Sequence, residues 1–263
     1  MRIYWEISRR EFRRHMTYRA ALLAGLATNL GFGVMRVAVL LALLGERQDA
    51  AGYDAGDLIT YVALTQAVIA YLSMFGWFEL MNVIHTGEIS SDLLKPVGLL
   101  GIWLARDTGR ALVHLIMRGL LFMVFFEFIY QLTYPQTLGQ WLAVVIALIN
   151  GLLVSFGWRF VINTASFWSP QALGILRFGF IISWFFSGFL MPLSFFPAWV
   201  QRLAAWTPFP HMLNTIVEIY TGLVSGPEMI KLLISQLAWA LGLLLLAQLL
   251  LRLGLRRLVI LGG

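Results

Sequence analysis

The sequence predicts an all-α polytopic membrane protein with six transmembrane helices. Two observations predict it. The 263 residues are 60% hydrophobic and only 12% charged, with a mean hydropathy of +0.80, whereas a soluble domain carries about twice that charged fraction. Six apolar stretches are each long enough to cross a hydrocarbon core about 30 Å thick, which takes roughly 20 residues of helix. They are continuous rather than alternating apolar and polar, which argues against a β-barrel. The composition also excludes a disordered chain. The absence of cysteine excludes disulfides, cysteine-ligated metal and thiol nucleophiles.

In chain order, the first element is the tail 1–19, where Met1, Trp5, Phe12 and Met16 fall near one helical face and Arg10, Arg13 and Arg14 turn away. Ser8 and Arg9 interrupt the stripe. The pattern reads as an interfacial helix with its arginines at anionic headgroups, or as a plain positive flank. The spans follow as Ala20–Leu44, Leu58–Ile84, Leu112–Tyr130, Trp141–Phe167, Leu173–Leu193 and Ile230–Leu251, in a single domain that ends in a cytoplasmic tail, 252–263. The first apolar run is too long for a secretory signal and is preceded by Glu6 and Glu11, against a cleaved leader.

Orientation follows from basic residues in the connections. With the N-terminus inside, fourteen of the nineteen Lys and Arg face the cytoplasm: six in the N-tail, Lys95, Arg106, Arg110 and Arg118 before span 3, Arg177 after span 4, and Arg252, Arg256 and Arg257 at the end. Only Arg47, Arg202 and Lys231 lie outside. Both termini are expected in the cytoplasm. The net charge of +6 is accounted for by this bias and by anionic lipid, so nucleic acid is not an expected partner.

Two connections are informative. Between spans 2 and 3, Gly87-Glu-Ile-Ser-Ser-Asp-Leu-Leu-Lys-Pro96 places Ser90 or Ser91 to cap a short helix bearing Leu93 and Leu94, with Pro96 to stop it. The leucines ask for a partner surface, or the segment hugs the membrane. Between spans 5 and 6, Pro192, Pro197, Pro208 and Pro210 forbid one continuous helix. The apolar stretch between them predicts short helices lying in the outer interface, with Trp199 and Trp206 as belt residues.

Four ionisable residues within the spans stand out: Arg36, Glu79, Glu127 and Arg159. Each is a functional candidate because it is costly there. Height along a helix of about 1.5 Å per residue pairs Arg36 with Glu127 in an outer layer and Glu79 with Arg159 in an inner one. Structural ion pairs, a polar pathway and snorkelling to an interface are the three readings. Asn29, Gln66, Asn150, Ser183 and Ser187 either line a pathway or bond between helices. Gly25, Gly31, Gly33, Gly151 and Gly157 permit close helix approach. Phe180, Trp184, Phe185 and Phe189 share one side of span 5, as pathway lining or as packing. No catalytic constellation is present: the four histidines lie apart, and there is no H-E-x-x-H, no G-x-S-x-G and no metal-ligand spacing.

Three stretches carry a resemblance to the permease subunit of ABC-2 type ATP-binding-cassette transporters, in the branch of small six-span permeases. Gly87–Pro96 is similar to the family's G-x-I-x-x-x-L-L-K-P element. Ser187-Gly-Phe-Leu-Met-Pro192 with Phe195-Phe-Pro-Ala-Trp199 and Pro208-Phe209 is similar to its span-5 exit, and Arg256-Arg-Leu-Val-Ile-Leu-Gly-Gly263 to its basic Gly-Gly ending. The resemblance implies that Gly87, Glu88, Ile89, Asp92, Leu93, Leu94, Lys95 and Pro96 form a coupling helix docked on a separate nucleotide-binding ATPase subunit. It implies a second permease chain, similar or identical, and a bacterial inner-membrane location. It also implies export of hydrophobic or amphipathic compounds, cationic drugs among them. The chain contains no G-x-x-x-x-G-K-[ST] phosphate loop, so ATP and Mg are expected on the partner subunit. The alternative is an ATP-independent secondary transporter or channel, which the lack of an evident inverted repeat or matching broken spans disfavours.

Overall fold

A computed structural model describes residues 2–257, and these fold almost wholly into helices, with no β-strand among them. Met1 and the terminal residues 258–263, most of the basic Gly-Gly ending, lie outside the described residues. Helix α1 (Arg2–Thr17) runs into α2 (Arg19–Leu44) with one residue between them. Then come α3 (Ala55–Ile69), α4 (Glu79–His85) and α5 (Ile89–Leu93). Helix α6 (Leu99–His114) passes through a wide turn at Leu115–Leu120 into α7 (Leu121–Ile129). The chain continues as α8 (Leu138–Thr164), α9 (Ala172–Phe186), α10 (Ala198–Ala205), α11 (Asn214–Thr221) and α12 (Gly226–Leu255).

Four helices are long and apolar enough to cross a membrane: Arg19–Leu44, Leu99–Ile129, Leu138–Phe167 and Gly226–Leu255. They coincide with predicted spans 1, 3, 4 and 6, but the third starts thirteen residues before Leu112. Predicted spans 2 and 5 are not continuous helices. The apolar run Leu58–Ile84 breaks after Ile69 and resumes only at Glu79, and Leu173–Leu193 leaves the helix after Phe186. Both breaks were invisible to hydropathy because apolar residues continue through them. Their presence also corrects the expectation of unbroken spans.

Helix α3 is the centre of the bundle, buried from Thr60 through Ile69. Its N-terminus is fixed by a reciprocal cap in which Asp54 accepts from the Asp57 amide at 2.8 Å, satisfying donors that a helix leaves open. Around it, α2, α7, α8 and α11 bury Leu58, Tyr61, Phe122, Phe126, Ala147 and Val217 in one cluster. The 5–6 connection forms the short helices α10 and α11, with Trp199 and Trp206 exposed. Helix α11, however, does not lie on a surface: Asn214 through Val217, Ile219 and Tyr220 are buried, and Gln140 caps its last carbonyls at 2.9 Å.

Helix α1 packs along α6 with a face adjacent to its apolar stripe, while Arg10, Arg13 and Arg14 stay exposed as expected. Trp5 is 66% exposed, while Tyr4 abuts Gly101 and the Ser8 carbonyl abuts Gly109. Any side chain at position 109 would collide with that carbonyl, so glycine is what lets the two helices meet. The interrupting Ser8 is thus the contact residue. Of the glycines expected to admit neighbours, Gly25, Gly33, Gly151 and Gly157 do so, and Gly31 faces open space.

Candidate functional site

Between Ile69 and Glu79 the chain turns through Ser73 and Gly76, both with positive φ (52° and 140°). Five carbonyls of this stretch accept side chains from three other helices. Arg110 of α6 donates to Ala70 and Tyr71 at 2.7 and 2.9 Å. From α8, Ser155 donates to Leu72 at 2.7 Å and Asn163 to Trp77 at 2.9 Å. From α9, the Trp184 indole donates to Met74. Asn163 also accepts from the Met81 amide at 3.0 Å, so one amide side chain closes the gap on both sides. A backbone that leaves the helix at membrane depth survives only where protein or water satisfies it. Here protein does.

The same layer holds the buried charge. Asp107 on α6 is fully buried and takes Arg159 through two bonds of 2.7 and 3.1 Å and Arg110 at 2.9 Å. The Arg159 guanidinium lies 5.3 Å from the centre of the Trp77 ring. The expected pair Glu79–Arg159 does not form: Glu79 is exposed. Arg36 and Glu127 do not pair either. Matching by depth does not fix which side of a helix a charge takes, and Glu79, at the start of α4, is turned outward. The true partner, Asp107, lies five residues before the predicted start of span 3.

Arg36 serves the second break. At the end of α9 the chain turns at Gly188 (φ +79°). There the Tyr61 hydroxyl donates to the Gly188 carbonyl, Arg36 donates to the Phe189 and Leu190 carbonyls and to Thr65 Oγ1, and the Asn214 backbone N–H donates to the Ser187 carbonyl at 3.1 Å. A Cβ at Gly188 would sit 3.0 Å from Asn214 and 3.1 Å from the Tyr61 hydroxyl, and the positive φ strains any other residue. Glu127, by contrast, is exposed at the end of α7 and accepts from the Leu132 amide and the Tyr134 hydroxyl at 3.1 and 2.9 Å.

The two breaks share an aromatic wall. Phe75, 62% exposed, meets Trp184 and Phe189 edge-on at 5.3 and 5.6 Å, and Phe78 meets Phe180 at 5.6 Å. Phe185 belongs elsewhere, against Phe186 and Phe196. Beneath the first break lies a cavity of about 460 Å³ lined by Ser73, Phe75, Phe78, Glu79, Asn82, Arg110, His114 and Arg118 among others. Asn29 is not on this wall. It is 6% exposed, donates to the Gln66 carbonyl at 3.3 Å and accepts from Arg118 at 3.1 Å, tying α2 to α3 and to the Leu99–Ile129 helix. Ser183 and Ser187 bond within their own helix to Phe180 and Trp184.

The Gly87–Pro96 segment contains the single turn α5. Neither serine caps it. The helix starts at Glu88, and Ser90 donates back to the Gly87 carbonyl at 2.9 Å. Ile89 and Asp92 point inward. Asp92 takes both arms of Arg106 at 2.9 Å and Lys95 at 2.6 Å, and Arg106 in turn stacks 4.8 Å from the Trp103 ring centre. What the segment offers outward is Leu93 at 39% and Leu94 at 88% exposure, beside Gly87, Glu88, Lys95 and Pro96, all exposed.

Close by, on α1, Glu11 is held below the usual carboxylate range. The hydrogen bond with His15, at 3.3 Å, is the main cause; partial burial opposes it and Arg14 assists.

Sequence reasoning passed over Asp107, Arg110, Ser155, Asn163, Tyr61 and Phe75. Arg110 was counted as a loop charge. Arg106-Asp107-Thr-Gly-Arg110 was the available signal, an acid three residues from a base on one helical face.

A family model described as "ABC-2 family transporter protein" matches residues 31–262, from within α2 to the end of the chain, leaving α1 outside the match. No curated protein and no solved structure matches the chain.

Proposed function

The chain belongs to the ABC-2 family of transporter proteins, and from that premise we propose that it is the permease subunit of an ATP-driven exporter of hydrophobic or amphipathic compounds. In this reading it works with a nucleotide-binding ATPase subunit and a second permease chain in a bacterial inner membrane, with both termini cytoplasmic. The two shorter apolar helices α3 and α9 complete their crossings through the broken segments that follow them, giving six spans.

The observation that carries the reading is the interrupted second span facing an aromatic wall. Interrupted helices in transporters mark the places where substrate meets backbone. Here Phe75, Phe78, Phe180, Trp184 and Phe189 offer apolar and aromatic surface above a cavity that carries Glu79 together with Arg110 and Arg118. Such a surface suits a flat apolar cation. ATP and Mg act on the partner subunit, and Leu93 and Leu94 insert into its surface. Because α5 is braced through Asp92 and Arg106 to the helix carrying Asp107 and Arg110, a push on Leu94 reaches the carbonyls of the span-2 break through three side chains.

The test is ATPase activity of the reconstituted complex across a panel of hydrophobic cations, neutral compounds and anions. Stimulation by the cations supports the reading. Leu94→Asp is expected to abolish ATPase co-purification while leaving the permease folded in the membrane, since the side chain touches little of its own chain. The breaks in spans 2 and 5 also suit the ATP-independent alternative. Transport of the same cations by the chain alone, without ATPase, would establish that alternative and sink the exporter.

A further inference from the structure

A second cavity opens between α3, α8, α11 and the C-terminal half of the Leu99–Ile129 helix. It has a volume of about 500 Å³, within the ordinary range for a small-molecule site. Its walls are apolar, among them Leu64, Leu115, Leu120, Met123, Val144 and Leu148. The wide turn at Leu115–Leu120 shapes it, since such a turn inserts an extra residue and displaces the helix face. Gly119 presses so near α3 that a Cβ there would lie 2.8 Å from the Ala67 carbonyl. The groove follows the helix from Leu115 to Glu127, about 18 Å at 1.5 Å per residue.

Its mouth differs from its walls. Glu127 sits there with Tyr134, Trp141 and Tyr220, aromatic types that mark a membrane interface. One carboxylate oxygen takes the Leu132 amide and the Tyr134 hydroxyl. Among the described residues, no hydrogen bond reaches the other oxygen, and no Lys, Arg or His lies within 4.0 Å of the group. An uncompensated carboxylate at the end of an apolar slot selects its occupant. A neutral chain leaves the charge unanswered, an anion is repelled, and a helix, about 10–12 Å across, is too thick for the volume. We propose that this groove binds one amphipathic ammonium compound, its cationic head on Glu127 among the three aromatic rings and its alkyl tail along Leu120 toward Leu115. The site needs neither ATP nor a partner subunit, so it stands apart from the exporter reading.

The test uses the full-length chain in membranes and two photoreactive probes of equal tail length, a tetradecyl trimethylammonium and a tetradecyl alcohol. Adducts of the ammonium probe are expected to concentrate on Leu115–Val124 and Val144–Leu148. Glu127→Gln should cut that labelling roughly fivefold, the size of an ion pair at a partly desolvated site, and leave the alcohol probe unchanged. Val124→Trp fills the slot and keeps the charge, and should lower labelling by both probes. Ammonium labelling that Glu127→Gln leaves within about twofold of wild type overturns the proposal. So do adducts spread evenly over the exposed apolar residues of α2, α9 and α12, or no labelling of the groove by either probe.

Discussion

Asp107 answers two arginines at once, and losing its charge leaves both Arg110 and Arg159 buried without a counter-ion. Removing one member of a buried pair costs about 3–5 kcal/mol, mostly because the other charge remains desolvated. Asp107→Asn should therefore destabilise the protein by that order, seen as a large drop in thermal midpoint in detergent. Glu79→Gln, at an exposed residue, should stay within about 0.5 kcal/mol of wild type. The opposite ranking would restore the pairing that depth counting suggests. The contrast shows what is legible at this scale. That a charge lies in a membrane helix can be read from one sequence. Which charge it meets cannot, because partners are set by how helices rotate and where they break. Arg36 is the clearest example: its partners are carbonyls and a hydroxyl, groups that every span contains.

At the scale of elements, the long helices were legible because about 20 apolar residues have few alternatives in a bilayer. The end of α2 and the outer end of α7 fell within a residue of their predicted positions. The breaks were not legible, since apolar side chains suit a broken segment as well as a helix. Ser73 and Gly76 were the only local signs, and the side chains that make the break tolerable come from α6, α8 and α9. Helix α1 was read as a lone interfacial helix, but docking on α6 needed the polar line of Ser8, Glu11 and His15 to face inward.

The stability of α1 is expected to depend on pH through Glu11 and its same-helix partner His15. Because the folded protein holds Glu11 below its ordinary value, near 4.3, the contribution is fully present above that value and is lost as pH falls through the lowered one. Amide hydrogen exchange along α1, corrected for its intrinsic pH dependence, should rise below about pH 4. Glu11→Gln should remove the step; an unchanged profile would show that His15 does not hold the carboxylate.

For the whole molecule, the exposed Phe75, which touches Trp184 and Phe189 across the two breaks, is a suitable reporter of global change. The chain has no cysteine, so Phe75→Cys is a clean reporter. In the reconstituted complex its modification by a water-soluble maleimide should change severalfold between nucleotide-free and ATP-trapped states, as alternating access requires. A rate indifferent to nucleotide would place Phe75 outside the moving surface.

By itself the sequence determined that this is a helical membrane protein, the long helices that cross, its ABC-2 resemblance and the leucine pair left outward. The helices follow from composition and length, which act residue by residue along the chain, and the resemblance rests on the quoted motif stretches. The tertiary structure alone decided that the apolar runs predicted as spans 2 and 5 break, that Asp107 is the buried acid, and that Glu127 faces a groove instead of Arg36. Each of these depends on groups far apart in sequence satisfying one another where water is absent. An unpaired carbonyl or charge there is costly, so the fold is settled by which distant side chain reaches it.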